Sequence, residues 1–207
     1  MFDGAGDVAT TASGVVAGDQ SYTISAFVRA DEIAGSGAAV SQAPKPAETV
    51  DGNYRSGFHL GFSTSPDCPT VDQVPCWAFW QVRDNDPNSA NVISRTAVPA
   101  VAGEWAHVVG IFDASAKTVR AWACPLYADP AKEPLAGPAS PMTVDEDGQT
   151  TSWQPWNVGG GLRLGSGTKN GAPVWEFTGA VDEVRVYDGH QVDEAKLERI
   201  CTGFDVP

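Results

Sequence analysis

Flat aromatic side chains beside hydrogen-bonding groups are the chemistry this sequence offers most freely. It holds seven tryptophans, and an indole face can stack on the apolar face of a sugar ring while polar neighbours bond the hydroxyls. Trp77 and Trp80 lie three apart in one apolar run. On a strand, the period of two sends them to opposite faces, so that one is buried and the other exposed. Trp80 is followed by Gln81-Val82-Arg83-Asp84-Asn85-Asp86-Pro87-Asn88. There Arg83, Asp84, Asn85 and Asp86 bring a guanidinium, two carboxylates and an amide to a strand end, groups suited to paired hydroxyls. A solvated turn rich in Asp and Asn is the competing interpretation of that stretch. His59 is flanked by Phe58 and Leu60; if those two face the core, it faces outward and can touch a ligand. Trp80, Arg83, Asp84, Asn85, Asp86 and His59 are thus the candidate ligand-binding residues. Trp105 and Trp175 sit in strand-like runs and are expected in the core, and Trp153 and Trp156 in a loop covering one end.

Nucleophilic catalysis has less to draw on. A serine nucleophile needs a nearby base oriented by an acid, and the only histidines are His59, His107 and His190. His107 falls inside an apolar run and reads as structural and hydrogen-bonded; His190 follows an Asp188-Gly189 turn. Hydrolysis of a glycosidic bond with retention needs two carboxyls about 5 to 5.5 Å apart. Asp182 and Glu183 are adjacent and would point to opposite faces, Glu176 is isolated, and Asp145-Glu146-Asp147 lies in an irregular stretch.

The four cysteines fall into two groups. Cys68 and Cys76 bracket a short segment with a proline beside each, while Cys124 ends a strand-like run and Cys201 lies near the C-terminus. We pair 68 with 76 and 124 with 201, which implies an oxidising compartment. The rival, a zinc site, finds no finger-like spacing and no histidine beside any cysteine.

These groups must be positioned by strands. Tyr22-Thr23-Ile24-Ser25-Ala26-Phe27-Val28-Arg29 alternates apolar residues at 22, 24, 26 and 28 with a more polar set, the pattern of a half-buried strand. Further runs occur at 38–42, 57–62, 77–83, 92–96, 105–112, 118–124, 162–164 and 174–187, each bounded by Gly, Pro, Asp or Asn. Gly110 to Val119 reads as a hairpin whose Asp113 forms the turn. Many short strands separated by turns argue for an all-β sandwich. A short C-terminal helix is expected where Asp193 can cap Glu194–Ile200. The stretch from Tyr127 to Trp156 is proline-rich and aperiodic, an excursion rather than a second domain, so residues 1–207 are expected to form one domain.

Charge narrows the partners. With 13 Lys and Arg against 26 Asp and Glu the net charge is −13, which disfavours nucleic acid and anionic membranes, whose phosphates are gripped by clustered cations. No apolar run is long enough to span a bilayer. The opening Met1-Phe2-Asp3-Gly4 lacks the basic and apolar regions of a signal peptide, consistent with a boundary inside a longer chain.

Three segments, taken in order, resemble one family. They are Tyr22 to Arg29, then Gly103-Glu104-Trp105-Ala106-His107-Val108-Val109-Gly110-Ile111-Phe112-Asp113, then Gly179-Ala180-Val181-Asp182-Glu183-Val184-Arg185-Val186-Tyr187. Together they are similar to laminin-G-like modules of the concanavalin A-like superfamily, particularly those of secreted actinobacterial proteins. The resemblance implies a jelly-roll sandwich of two curved antiparallel sheets, often binding glycans on the concave face and rim and often holding a structural calcium on the opposite side. It would place Asp182 and Asp3 at that calcium, through side-chain or backbone oxygens. Hydrolases of similar fold carry Glu-x-Asp-x-x-Glu or Glu-x-Asp-x-Glu on one strand, and this sequence has neither. Lyases of similar fold use a basic cleft bearing tyrosine and histidine, a poor match to an acidic chain.

The expectation is a non-catalytic, lectin-like carbohydrate-binding module of a secreted or cell-surface protein, attached to other domains and without membrane insertion. The alternative is a protein-docking or structural module of a larger adhesin or toxin. A divergent polysaccharide-cleaving enzyme comes third. Fold alone decides none of these.

Overall fold

The computed structural model describes residues 1–45, 55–82, 91–125, 135–136, 140–141, 156–189 and 197. In chain order the strands are β1 (Phe2–Asp3), β2 (Ala9–Gly14), β3 (Tyr22–Ala30), β4 (Gly37–Pro44), β5 (Phe58–Ser63), β6 (Cys76–Val82), β7 (Asn91–Pro99), β8 (Trp105–Asp113), β9 (Thr118–Pro125), β10 (Leu135–Ala136), β11 (Ser140–Pro141), β12 (Gly159–Leu164), β13 (Gly167–Lys169), β14 (Ala172–Val174) and β15 (Thr178–Asp188). They form two large antiparallel sheets. The first runs β1-β15-β3-β8-β9-β10, with β11 also on β9; the second runs β2-β12-β4-β5-β6-β7; β13 and β14 make a separate hairpin.

The core lies between the two large sheets. Alternate residues of β3 (Tyr22, Ile24, Ala26, Val28) meet Phe58, Leu60 and Phe62 of β5 and Trp77 and Phe79 of β6. The Tyr22 ring lies 5.5 Å from Phe58, 6.2 Å from Phe79 and 5.6 Å from Phe112. Its hydroxyl, fully buried, donates to the Gln81 side-chain carbonyl, which satisfies two polar groups that would each be costly to bury alone. Gly110 on β8 lies beneath Phe79, whose ring would stand 2.3 Å from any Cβ there. This close approach is the reason the apolar run of β8 is interrupted by glycine.

The first sheet is covered on its outer side as well. Phe27 stacks on His107 at 4.5 Å, and Val109, Ile111 and Trp122 gather with Leu197. Leu197 is the only described residue of the segment where a C-terminal helix was expected; the rest lies outside the described residues. The β8–β9 hairpin closes as anticipated, with Asp113 Oδ1 accepting from the Ser115 and Ala116 amides and the Ser115 hydroxyl.

One strand expectation is corrected, and one strand was not anticipated. The run 174–187 is divided, because Trp175 takes a positive φ of 50° and turns the chain from the small hairpin into β15. The edge strand β2, Ala-Thr-Thr-Ala-Ser-Gly, is exposed at all six positions and carries no apolar alternation to betray it. Cys68 and Cys76 are bonded. Cys124 is also in a disulfide, and Cys201, the partner expected for it, lies outside the described residues.

Candidate functional site

The structure brings together two of the residues singled out for binding. His59 on β5 and Trp80 on β6 are directly opposite in the strand register, and their rings stack at 5.2 Å with 28° between planes. Both point away from the inter-sheet core, as alternation demands of neighbours of Phe58, Leu60 and Phe79. Neither is exposed, however: His59 is 0% and Trp80 4% accessible. The expectation that one member of the Trp77 and Trp80 pair faces solvent is therefore corrected. Trp77 is in the core against Phe62, and Trp80 is roofed by the β13–β14 hairpin.

That roof is well anchored. Trp175 meets His59 edge-on at 4.7 Å and Trp80 at 5.8 Å. The Ser56 amide donates to the Thr168 carbonyl, the Thr168 amide to the Ser56 hydroxyl, and the Ala38 amide to the Trp175 carbonyl. A Cβ on Gly167 would stand 2.6 Å from the His59 ring, so only glycine lets the hairpin lie this close. Neither His59 nitrogen has a hydrogen-bond partner. Burial, followed by the nearby Arg55 guanidinium, holds its pKa well below the usual histidine range, so the ring stays neutral. Arg83, Asp84, Asn85 and Asp86 lie outside the described residues.

The two carboxylates assigned to calcium do not converge. Asp3 pairs with Thr178 across β1 and β15, four residues and roughly 13 Å along the strand from Asp182 at ~3.3 Å per residue. Asp3 Oδ1 accepts from the Ala5 amide, and Asp182 Oδ1 accepts from the Glu183 amide at a bulge. Among the described residues no group of three or more His, Cys, Asp or Glu side chains is placed to hold a metal. Of the other acidic groups weighed for catalysis, Glu183 is paired with Arg185, and Asp145, Glu146 and Asp147 lie outside the described residues.

An open cleft lies elsewhere, where β7 leaves the second sheet and β8 enters the first. Its volume is about 230 Å³, and Trp77, Val98, Pro99, Val101, Glu104 and Trp105 line it. Trp105 is half-buried and Glu104 exposed. Arg29, opposite Trp105 in the β3–β8 register, places its guanidinium 5.4 Å over the indole and is held there by Asp31, with Nε to Oδ1 2.7 Å and Nη2 to Oδ2 3.2 Å. That pairing holds the Asp31 carboxyl below the usual carboxylate range. The Gly103 amide bonds the Ala30 carbonyl at 2.7 Å, which fixes the turn presenting Glu104 and Trp105. Sequence reasoning assigned Trp105 to the core and passed over Glu104. The usable signal was position: a tryptophan at the first residue of its strand, just after a turn and beside a carboxylate, is packed less completely than one in mid-strand.

Two antiparallel sheets face to face around an aromatic core define the jelly-roll class of β-sandwich. The chain belongs to the laminin-G-like family of the concanavalin A-like lectin/glucanases superfamily, whose sequence pattern matches residues 3–123, more than half of its length. No curated protein matches the sequence. Among solved structures, the chain is similar to the CBM40 of the Ruminococcus gnavus IT-sialidase (TM-score 0.59, 11% identity, 94% of this chain and 96% of that one). That CBM40 has also been solved bound to α2,6 sialyllactose. The chain is likewise similar to the heptameric SAP-like pentraxin of Limulus polyphemus (0.58, 12%, 97% and 79%). A third similarity is to domain 4 of AbnA, an extracellular arabinanase of Geobacillus stearothermophilus, in complex with arabinotriose (0.54, 15%, 93% and 71%). At these identities the likeness is one of fold.

Proposed function

We propose that this chain is a non-catalytic, carbohydrate-binding module of a secreted or cell-surface protein. The observation that carries the proposal is the open cleft that Trp105 and Glu104 line together with Trp77, Val98, Pro99 and Val101, where aromatic, apolar and carboxylate residues meet. This is the combination that recognises the mixed apolar and hydroxylated surface of a sugar. The fold supports it, since the Ruminococcus CBM40 and the arabinanase domain, both of this architecture, were solved with oligosaccharides bound. The local commitments of Asp182 and Glu183 favour binding over bond cleavage. The Cys68–Cys76 disulfide fits an oxidising, extracellular setting, and no described helix is long and apolar enough to cross a membrane.

A glycan array tests this: saturable binding to at least one oligosaccharide, with the oligosaccharide recovered intact, is the expected result. Silence across the array would remove the proposal. It would favour docking onto another protein, a reading supported by β2, whose six exposed residues form a sheet edge with no further strand on it among the described residues.

A further inference from the structure

The cleft beside Trp105 also carries information about which sugars it admits. Resting on the carbohydrate-binding proposal, we infer that this cleft seats one uncharged sugar ring at the end of a glycan and discriminates against acidic sugars. Its size sets the first limit: about 230 Å³ is below the roughly 300–1,000 Å³ of pockets for drug-sized ligands, so it admits a single ring and not an extended chain. The wall sets the second. Trp105 is held by Arg29 stacked on it and Asp31 gripping Arg29, so the indole is positioned before a ligand arrives and loses little freedom on binding. Val101, 43% exposed at the rim, and Val98 extend the apolar surface against which ring C–H groups pack.

Charge sets the third limit. The ionisable group lining the cleft among the described residues is Glu104, an exposed carboxylate that accepts hydrogen bonds from sugar hydroxyls but repels another carboxylate. Arg29, whose guanidinium lies over the Trp105 ring, is already joined to Asp31 by two hydrogen bonds and offers an acidic ligand little compensation. The net charge of −13 adds a repulsive field. A glycan ending in a neutral ring is thus accepted where the same glycan capped by a sialic acid carboxylate is rejected, although the CBM40 of shared fold was solved with sialyllactose bound.

The test is an array of neutral oligosaccharides printed beside their sialylated counterparts, probed with the wild-type chain and with Trp105→Ala, Glu104→Gln and Val101→Asp. The wild type should bind at least one neutral member and bind its sialylated partner at least 10-fold more weakly. Trp105→Ala and Val101→Asp should each weaken neutral binding at least 10-fold, and Glu104→Gln should narrow the neutral-over-acidic gap. Val101 and Glu104 are at the exposed rim, so their variants report even if Trp105→Ala does not fold. Equal or tighter binding of sialylated glycans, or neutral binding untouched by Val101→Asp and Glu104→Gln, would overturn the inference while leaving a carbohydrate-binding module. No binding by the wild type to any glycan would overturn the functional proposal itself.

Discussion

Two buried side chains show how residue types foretold environment but not detail. His107 was expected to be structural, and it is 3% exposed against Phe27. The hydrogen bonding expected of it is incomplete, since Nδ1 has no partner, because aromatic stacking rather than a polar network holds the ring. Burial, and then the charge of Arg185, push its pKa down to about 4. The unfolded chain, at about 6.5, takes up a proton first, so this stability is present above about pH 6.5 and lost as pH falls to about 4, in full about 3 kcal/mol. Melting temperatures across that window should fall less steeply for His107→Phe than for the wild type; equal slopes would count against the assignment. Tyr22 read simply as an apolar strand position, yet its hydroxyl is the partner of Gln81. Tyr22→Phe leaves that carbonyl buried and should cost about 1–3 kcal/mol in urea unfolding, with no loss at all contradicting the bond.

Strand existence was legible wherever apolar and polar residues alternate, as in β3, β5, β6 and β8. It was illegible where packing makes no such demand. β2 is a polar edge, and β13 is a three-residue piece of a roof whose covering role depends on the fold around it. This roof explains the misjudged exposure of Trp80 and His59. Period two correctly placed them on the outer face, but a local pattern cannot report that a segment a hundred residues onward folds over it. Gly167 is the contact point, and Gly167→Val should lower stability by about 1–3 kcal/mol through overpacking against His59, or about 2–12 °C in melting temperature for a chain of this size. An unchanged melting temperature would show that the hairpin does not press on His59. The Cys68–Cys76 link closes a short loop leading into β6. Replacing both cysteines by serine should cost about 2.5 kcal/mol on loop entropy, read as a lower urea midpoint; an unchanged midpoint would mean the bond does not constrain the unfolded chain.

At the scale of the whole molecule the ordered set of three segments carried the architecture; the family match over residues 3–123 covers the first two of them, and the third lies in β15 of the first sheet. The binding site was harder to read. Aromatic residues serve core and ligand alike, and only the assembled sandwich shows which indole borders open space. Trp80 was the better sequence candidate, whereas Trp105 lines the cleft. The central claim is that the molecule holds a neutral glycan end in this cleft without cutting it. The most direct measurement is a titration of the wild-type chain with a neutral oligosaccharide bound on the array, following the Trp105 indole N–H by NMR and the oligosaccharide's length in the same tube. The account predicts a saturable shift of that resonance and an oligosaccharide of unchanged length; a shortened oligosaccharide, or binding that leaves Trp105 unmoved, would contradict it.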